Sequence, residues 1–158
     1  MEPLTKPRAL LTVQGCLDMI ADYLDLLAIE ATIEADGEKA FDLFCHHSFD
    51  IVIGLPCKYT LAIKRICSGT VVIATSSWLH AERARSHWRV LVRGFDAHLI
   101  LPFSLSELVA TISRAAMVCG REDLRAYVHK QAIQRMCRHE PWPICQRYDE
   151  TGQLRLVY

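Results

Sequence analysis

Short apolar runs alternate with amphipathic segments along the first 120 residues of the chain. The runs predict five β-strands, over 8–13, 31–35, 49–54, 70–75 and 97–101. Between and after them, apolar residues recur every three or four positions, which predicts helices over 16–30, 37–47, 58–67, 79–93 and 104–120. This alternation predicts an α/β fold in which helices cover both faces of a parallel sheet. Strands three to five lack polar alternation, so we expect them to be buried on both faces.

The pattern changes after Gly120. Residues 121–138 predict an added helix, which the sequence "EPWP" breaks, and the last stretch predicts a β-hairpin that turns at 149–152. The helix before Gly120 begins with a capping box, because Ser104 is followed three residues later by Glu107. We therefore predict two units, a domain over 1–120 and a C-terminal extension over 121–158.

The charges are unevenly distributed, although the formal net charge is zero. Residues 1–50 carry 3 Lys/Arg and 10 Asp/Glu, a net of −7, and the rest of the chain carries +7. This polarity favours oriented docking to a partner protein or to a second copy. Nucleic acid is not an expected partner, because such domains are normally basic throughout.

Composition also bears on the compartment. No run of about 18 apolar residues occurs, and the amino terminus lacks the form of a signal peptide, so we expect a cytoplasmic protein without membrane contact. The chain has seven cysteines and no C-x-x-C motif. In a reducing compartment, we expect these to be small buried apolar residues rather than disulfides.

Four motifs in the first unit follow one another along the chain, and their order and spacing are characteristic of a known family. They are "IEADGEKAFDLF" (33–44), "FDIVIGLP" (49–56), "TVVIATSS" (70–77) and "GFDAHLILPFSLSELVATI" (94–112). With the preceding strand and helix, they resemble the receiver domain of two-component response regulators over residues 7–118. The resemblance implies a flavodoxin-like (βα)5 fold with sheet order 2-1-3-4-5, here followed by a C-terminal helix and a β-hairpin.

Receivers transfer a phosphoryl group to an aspartate, and the resemblance implies where the required residues would stand. The acidic pair that binds Mg²⁺ corresponds to Gln14 and Gly15, and the phosphoacceptor corresponds to Leu55. The lysine that pairs with the phosphoryl oxygens corresponds to Leu101. No Asp or Glu lies between Asp50 and Glu82, so a shift of register would not supply the nucleophile. With these residues in place of the reactive groups, the resemblance implies a degenerate receiver. We therefore predict that the chain is not an enzyme and needs no cofactor.

Two signalling positions of the family can still be traced. Thr75 matches the hydroxyl that follows the phosphoryl group, and His98 stands where the family carries a rotating aromatic residue. The simpler interpretations are a hydroxyl bonded to backbone and a half-buried core histidine, and we favour both over a switch.

Candidate interaction residues lie in two segments. In "RARSHWRVLVR" (83–93), Arg85, Trp88 and Arg89 would share one face of a helix and anchor a partner protein or a second copy. A solvated helix with a core tryptophan is an equal alternative. The resemblance favours contact, because this helix, the fifth strand and the helix after Ser104 correspond to the signalling face of receivers. In the extension, Trp142 and Tyr158 are further candidates.

Other functions remain open at this point. Cys137, His139 and Cys145 include typical zinc ligands, as does "CHH" over 45–47, but their spacing fits no standard site, so we predict no metal centre. A ligand or metal/redox sensor that uses the vacated receiver pocket or these Cys and His residues is the main alternative. A regulator that binds nucleic acid through the arginine-rich helix is a third.

Overall fold

The sheet has the predicted order and direction. A computed structural model describes residues 5–13, 15–77 and 94–135, and the backbone of 136–137, 145–148 and 154–157. Five parallel strands form one sheet in the order β2-β1-β3-β4-β5. They are β1 (Arg8–Thr12), β2 (Glu30–Ile33), β3 (Ile51–Gly54), β4 (Val71–Ser77) and β5 (Ala97–Leu101).

Five helices lie in the described part of the chain, on both faces of the sheet. They are α1 (Leu17–Leu26), α2 (Gly37–His46), α3 (Lys58–Ile66), α4 (Leu105–Val118) and α5 (Glu122–Cys137). Alternate strand residues divide the core, because successive side chains of a strand point to opposite faces. Ile51 and Ile53 pack with α1, α4 and α5, whereas Val52 packs with α2 and α3. The predicted helix over 79–93 lies outside the described residues.

Local signals set the helix starts. Ser104 accepts a hydrogen bond from the Glu107 backbone N–H at 3.1 Å, and Glu107 accepts one from the Ser104 N–H at 2.7 Å. This is the predicted capping box. The helix α1 is shorter than predicted, because Ala28 takes a left-handed φ of 53° and turns the chain toward β2. The apolar residues on either side of Ala28, Leu27 and Ile29, are nevertheless buried.

The helix α5 is part of the main core. Its Leu124 and Val128 are buried, four residues apart, against the face formed by α1 and α4. Tyr127 Oη donates to the Ala28 carbonyl at 2.8 Å, and Arg135 Nε donates to the Leu26 carbonyl at 2.7 Å. Both acceptors lie at the C-terminal end of α1 and help to fix α5 there. The division into units at residue 120 remains a prediction.

The last two strands, β6 (Cys145–Tyr148) and β7 (Leu154–Val157), form the predicted antiparallel pair. One expectation was wrong: β5 is not buried throughout, and Ile100 is 42% exposed, because β5 is an edge strand of the sheet. In the described part of the chain, no helix is long and apolar enough to cross a membrane.

Candidate functional site

The carboxyl edge of the sheet is where a receiver would hold its reactive groups. Here β3 ends in Gly54, which pairs with Thr12 of β1 and with Ala74 of β4. A Cβ at Gly54 would overlap the Thr12 side chain, so the residue allows the two strands to approach closely. Packing therefore accounts for this glycine.

Leu55 follows at the phosphoacceptor position. Its side chain is 38% exposed, and its backbone N–H lies 3.4 Å from the Thr12 carbonyl. Gly15, after β1, has a φ of 79° and open space around its Cα. Gln14 lies outside the described residues. The described residues at these two positions present an aliphatic side chain and bare backbone, and neither can attack phosphorus or bind Mg²⁺ as a carboxylate does.

At the end of β5, Leu101 belongs to the core. It is 9% exposed and packs in the same cluster as Leu99 and Phe103, and the following peptide bond, Leu101–Pro102, is cis. An aliphatic side chain in this position stabilises the interior but offers no charge to a phosphoryl group. The resemblance placed the phosphate-binding lysine here, and the structure places a core leucine.

The hydroxyl of Thr75 is fully buried in β4. Its Oγ1 has no hydrogen-bond partner among the described residues, which is uncommon for a buried polar atom. The expected bond to backbone is therefore absent from the described part of the structure. An unmatched hydroxyl at this edge is available to a bound group or a water molecule.

His98 is half-buried, as expected, but it belongs to a polar pair rather than to an apolar core. Its Nε2 lies 3.0 Å from Ser76 Oγ, on the neighbouring strand. Burial lowers the pKa of the imidazole, so the neutral form predominates at neutral pH. His98 also lines a cleft of about 310 Å³ between β5 and α4, together with Ile100, Phe103, Glu107 and Arg114.

Charged residues gather instead at the amino edge of the sheet. Asp50 precedes β3, and its carboxylate accepts from the Arg8 N–H at 2.9 Å and from Arg121 at 2.8 Å. Asp96 precedes β5 in the same way, accepting from the Val72 N–H at 2.8 Å and forming an ion pair with Lys64 at 2.7 Å. Each aspartate joins the start of its strand to that of a neighbour.

The sequence contained a signal for this arrangement. "FD" precedes an apolar strand twice, at 49–50 and at 95–96, and in both places the aspartate N–H also donates to the neighbouring strand. Burial has the largest single effect on the pKa of Lys64 and lowers it. The hydrogen bond and ion pair with Asp96, together with the contact to Cys119, outweigh burial, so the pKa is raised. Arg121, held by Asp123 and Asp50, also has a raised pKa. These charges stabilise the fold and face away from the vacated site.

The described cysteines are not buried. Cys16 and Cys45 are exposed, and Cys57, Cys67 and Cys119 are partly buried; all five are free thiols. The expectation of buried packing cysteines was therefore wrong for these five. They lie at helix ends, where the edges of the sheet are open to solvent: four are helix caps and Cys45 lies in the last turn of α2.

Several predicted site residues fall outside the described structure. They are Gln14, Arg85, Trp88, Arg89, Trp142 and Tyr158, and the same is true of His139, which was considered as a zinc ligand and not predicted as one. Among the described residues, no group of three or more His, Cys, Asp or Glu is arranged to hold a metal ion. The "CHH" segment at the end of α2 is instead surface, and His46 Nδ1 lies 2.8 Å from the Asp42 carbonyl.

Comparison with known proteins supports the fold. The chain matches no protein-family model and no curated protein. A signal receiver domain of an HD domain-containing protein from Pseudomonas fluorescens is 17% identical, with a TM-score of 0.60, covering 86% of this chain and 97% of that one. The fold is that of a receiver domain.

Two further solved structures share this fold. A chemotaxis protein of Vibrio cholerae is 17% identical, with a TM-score of 0.57, covering 70% of this chain and 99% of that one. A mutant of RitR, the repressor of iron transport regulator, is 15% identical, with a TM-score of 0.57, covering 73% of this chain. The present chain spans only 54% of the length of that RitR structure. At these identities, the comparisons establish the architecture, and the function has to be argued from the residues themselves.

Proposed function

We propose that this chain is a cytoplasmic signalling module that regulates another protein through direct contact and without being phosphorylated. The observation that carries this proposal is the carboxyl edge of the sheet. Leu55 and Leu101 stand where a receiver needs a nucleophile and a phosphate-binding cation, and Gly15 stands where it needs a metal ligand. A receiver in which these groups are missing cannot accept a phosphoryl group, but it keeps the surfaces that contact other proteins.

Loss of the acidic groups is also favourable for stability. Carboxylates crowded at one site repel each other unless a cation or a phosphoryl group relieves them. The apolar Leu101 removes one polar position and adds to the core, where it is 9% exposed. A module of this kind would hold one conformation without an input phosphate and would act through its binding surface alone.

The first experiment tests phosphorylation. The full chain is incubated with acetyl phosphate and Mg²⁺ beside a phosphorylatable receiver and then examined by intact mass spectrometry. We expect no adduct of about 80 Da, the mass added by one phosphoryl group. A stable adduct of that mass on this chain would refute the proposal, and peptide mapping would identify the acceptor.

The second part of the proposal concerns self-association, separate from the contact with the regulated protein, and we assign it to the cleft between β5 and α4. Ile100 is 42% exposed at its edge, which leaves a large aliphatic side chain available for contact. The cleft is also lined by Glu107 and Arg114, which carry opposite charges. In a two-fold dimer the same patch of both copies meets, so a patch with both charges can pair Glu107 of one copy with Arg114 of the other. The occupant we propose is a second copy of this chain.

A pair of substitutions tests the surface. Ile100→Glu places a charge at the cleft, and Ile133→Glu places one on the exposed face of α5, where Ile133 is 59% exposed. By sedimentation velocity, we expect Ile100→Glu to weaken dimerisation at least about tenfold, equivalent to about 1.4 kcal/mol. Ile133→Glu should behave as wild type. A monomeric wild-type chain, or equal effects of the two substitutions, would contradict this surface.

The alternative of a ligand sensor has one observation in its favour, the unpartnered buried hydroxyl of Thr75. A small polar ligand at the vacated edge would satisfy it. A ligand that binds only the native state raises the melting temperature by mass action. Thr75→Val would abolish that rise if the hydroxyl is the anchor, so a screen of small polar metabolites against both proteins separates this alternative from the proposal.

A further inference from the structure

A second cleft lies at the C-terminal end of α2, away from the vacated receiver edge. It has a volume of about 290 Å³ and is lined by Phe44, Cys45, His46, His47, Ser48, Phe49, Cys67 and Thr70. The rings of Phe44 and Phe49 stack with centroids 6.3 Å apart and form an apolar wall. Two free thiols, those of Cys45 and Cys67, open into this one concave surface.

The surroundings of Cys67 favour its ionised form. Thr70 Oγ1 lies 3.2 Å from Cys67 Sγ and 3.1 Å from the Phe49 carbonyl, so the hydroxyl proton can turn toward the sulfur when the thiol ionises. Lys64 Nζ donates to the Thr70 carbonyl at 3.0 Å and places a positive charge behind the same turn. The Thr70 hydrogen bond is the main cause of the lowered pKa of Cys67, and the Lys64 charge adds to it.

Cys119 provides an internal comparison. Its Sγ lies only 3.3 Å from Lys64 Nζ, so it is close to the same cation. Burial nevertheless raises the pKa of this thiol, and the nearby Asp96 carboxylate acts in the same direction. Proximity to Lys64 is therefore not sufficient to lower the pKa of a thiol here. The hydroxyl of Thr70 and the open cleft distinguish Cys67.

We propose that Cys67 is a peroxide-sensitive thiol whose oxidised sulfur is captured by a second thiol in this cleft. In the first step, the thiolate sulfur attacks a hydroperoxide: an S–O bond forms, the O–O bond breaks, and an alcohol or water leaves after protonation. The sulfur is oxidised by two electrons to a sulfenic acid, and the peroxide is reduced. In the second step, a thiolate attacks that sulfur, an S–S bond forms while the S–O bond breaks, and the hydroxide takes up a proton from solvent and leaves as water.

The second thiol has two sources, Cys45 of the same cleft or a small-molecule thiol such as glutathione. Either product removes the thiolate charge that the Thr70 hydroxyl stabilises and adds a group at Cys67, beside the turn that Thr70 ends. The turn over 68–70 is also held by Lys64, which bonds the Ser68 carbonyl, and by Arg121, which bonds the Gly69 carbonyl. Oxidation therefore acts on the charged amino edge of the sheet through that turn.

The test measures oxidation residue by residue in the full chain. Reduced protein is treated with equimolar hydrogen peroxide in the presence of a dimedone-type sulfenic acid probe and then mapped by peptide mass spectrometry. We expect Cys67 to react at least about tenfold faster than Cys119, because the thiolate is the reactive form. In urea, the two rates should converge. Equal rates in the folded protein would overturn the proposal.

Variants separate the role of the hydroxyl from that of the fold. Thr70→Val should slow oxidation of Cys67 several-fold and leave the rate at Cys119 unchanged, whereas Thr70→Ser should restore it. Ser48→Ala removes a hydroxyl from the same cleft and serves as the matched control. A Thr70→Val protein that oxidises as fast as wild type would contradict the mechanism, provided that its thermal unfolding shows a folded chain.

Two arms identify the capturing thiol. Without added thiol or probe, a product about 2 Da lighter, with Cys45 and Cys67 in one linked peptide, assigns capture to Cys45. In Cys45→Ser with glutathione, a mixed disulfide on Cys67 assigns it to the small thiol. Either product supports the proposal. Sulfenic acid that neither thiol captures, and that proceeds to the sulfinic acid, would refute it.

Discussion

Removal of the Leu124 side chain tests whether α5 is part of the same cooperative unit as the sheet. Leu124 is 1% exposed and lies in the core cluster that contains Ile51, Ile53 and Leu108. Leu124→Ala would leave a cavity between α5 and that core. If the helix docks as tightly as its burial indicates, the loss should lower the free energy of unfolding of the whole chain.

The expected size follows from the burial. Truncation of a fully buried leucine costs about 2–5 kcal/mol, the transfer of its side chain plus the cavity that remains, and we take about 3 kcal/mol. The dependence of the free energy of unfolding on urea is about 2 kcal/mol per molar for a chain of this size. The urea midpoint should therefore fall by about 1.5 M.

Urea unfolding is followed by circular dichroism and by amide hydrogen exchange. The matched control is Ile133→Ala on the same helix, where the side chain is 59% exposed and the expected change is below about 0.5 kcal/mol. One transition, shifted for Leu124→Ala and unshifted for Ile133→Ala, confirms a single unit. If Leu124→Ala exposes only amides beyond residue 120 and leaves β1 and β3 protected, the reasoning is wrong and the boundary at 120 is real.

Three further predictions concern the sheet. Gly54→Ala should lower the free energy of unfolding by about 1–3 kcal/mol because its Cβ overlaps β1, and a melting temperature equal to wild type would contradict the close approach. Asp96→Ala leaves the Lys64 ammonium, whose side chain is 17% exposed, without its carboxylate. We expect a loss of about 3–5 kcal/mol in urea unfolding. Glu122→Ala, which breaks the exposed ion pair of Glu122 with Arg125 at 3.3 Å, should cost almost nothing by comparison. The lowered pKa of His98 means that the unfolded chain takes up a proton more readily, so stability should fall as the pH drops below 6.5. His98→Gln should flatten that fall between pH 7.5 and 5.5, and identical slopes for the two proteins would count against it.

The sequence by itself determined the elements and their order, because these depend on local spacing. Alternating apolar runs and amphipathic segments predicted β1 to β5 and the described helices to within a few residues. The capping box at Ser104 predicted the start of α4, since both of its hydrogen bonds join residues three apart. The sheet order 2-1-3-4-5, which the resemblance to receivers implied, is confirmed.

The residues at the positions that correspond to the receiver's reactive groups were also readable from sequence. Folding cannot change the side chain that a position carries, so Leu55 and Leu101 offer neither a carboxylate nor an ammonium group there. The structure added what each residue does instead. Leu101 joins the core, Gly54 admits the neighbouring strand, and Thr75 buries a hydroxyl without a described partner.

Only the tertiary structure decided which distant residues meet. Arg121 reaches Asp50 across 71 positions, and Lys64 reaches Asp96 and Cys119. No local period encodes such pairs, because they depend on how the helices cross the sheet. The cysteines illustrate this: composition suggested a uniform set of packing residues, whereas the fold places the described ones at helix ends. For two of them the surroundings shift the pKa in opposite directions: the Thr70 hydroxyl lowers the pKa of Cys67, whereas burial and the Asp96 carboxylate, which is distant in sequence, raise that of Cys119.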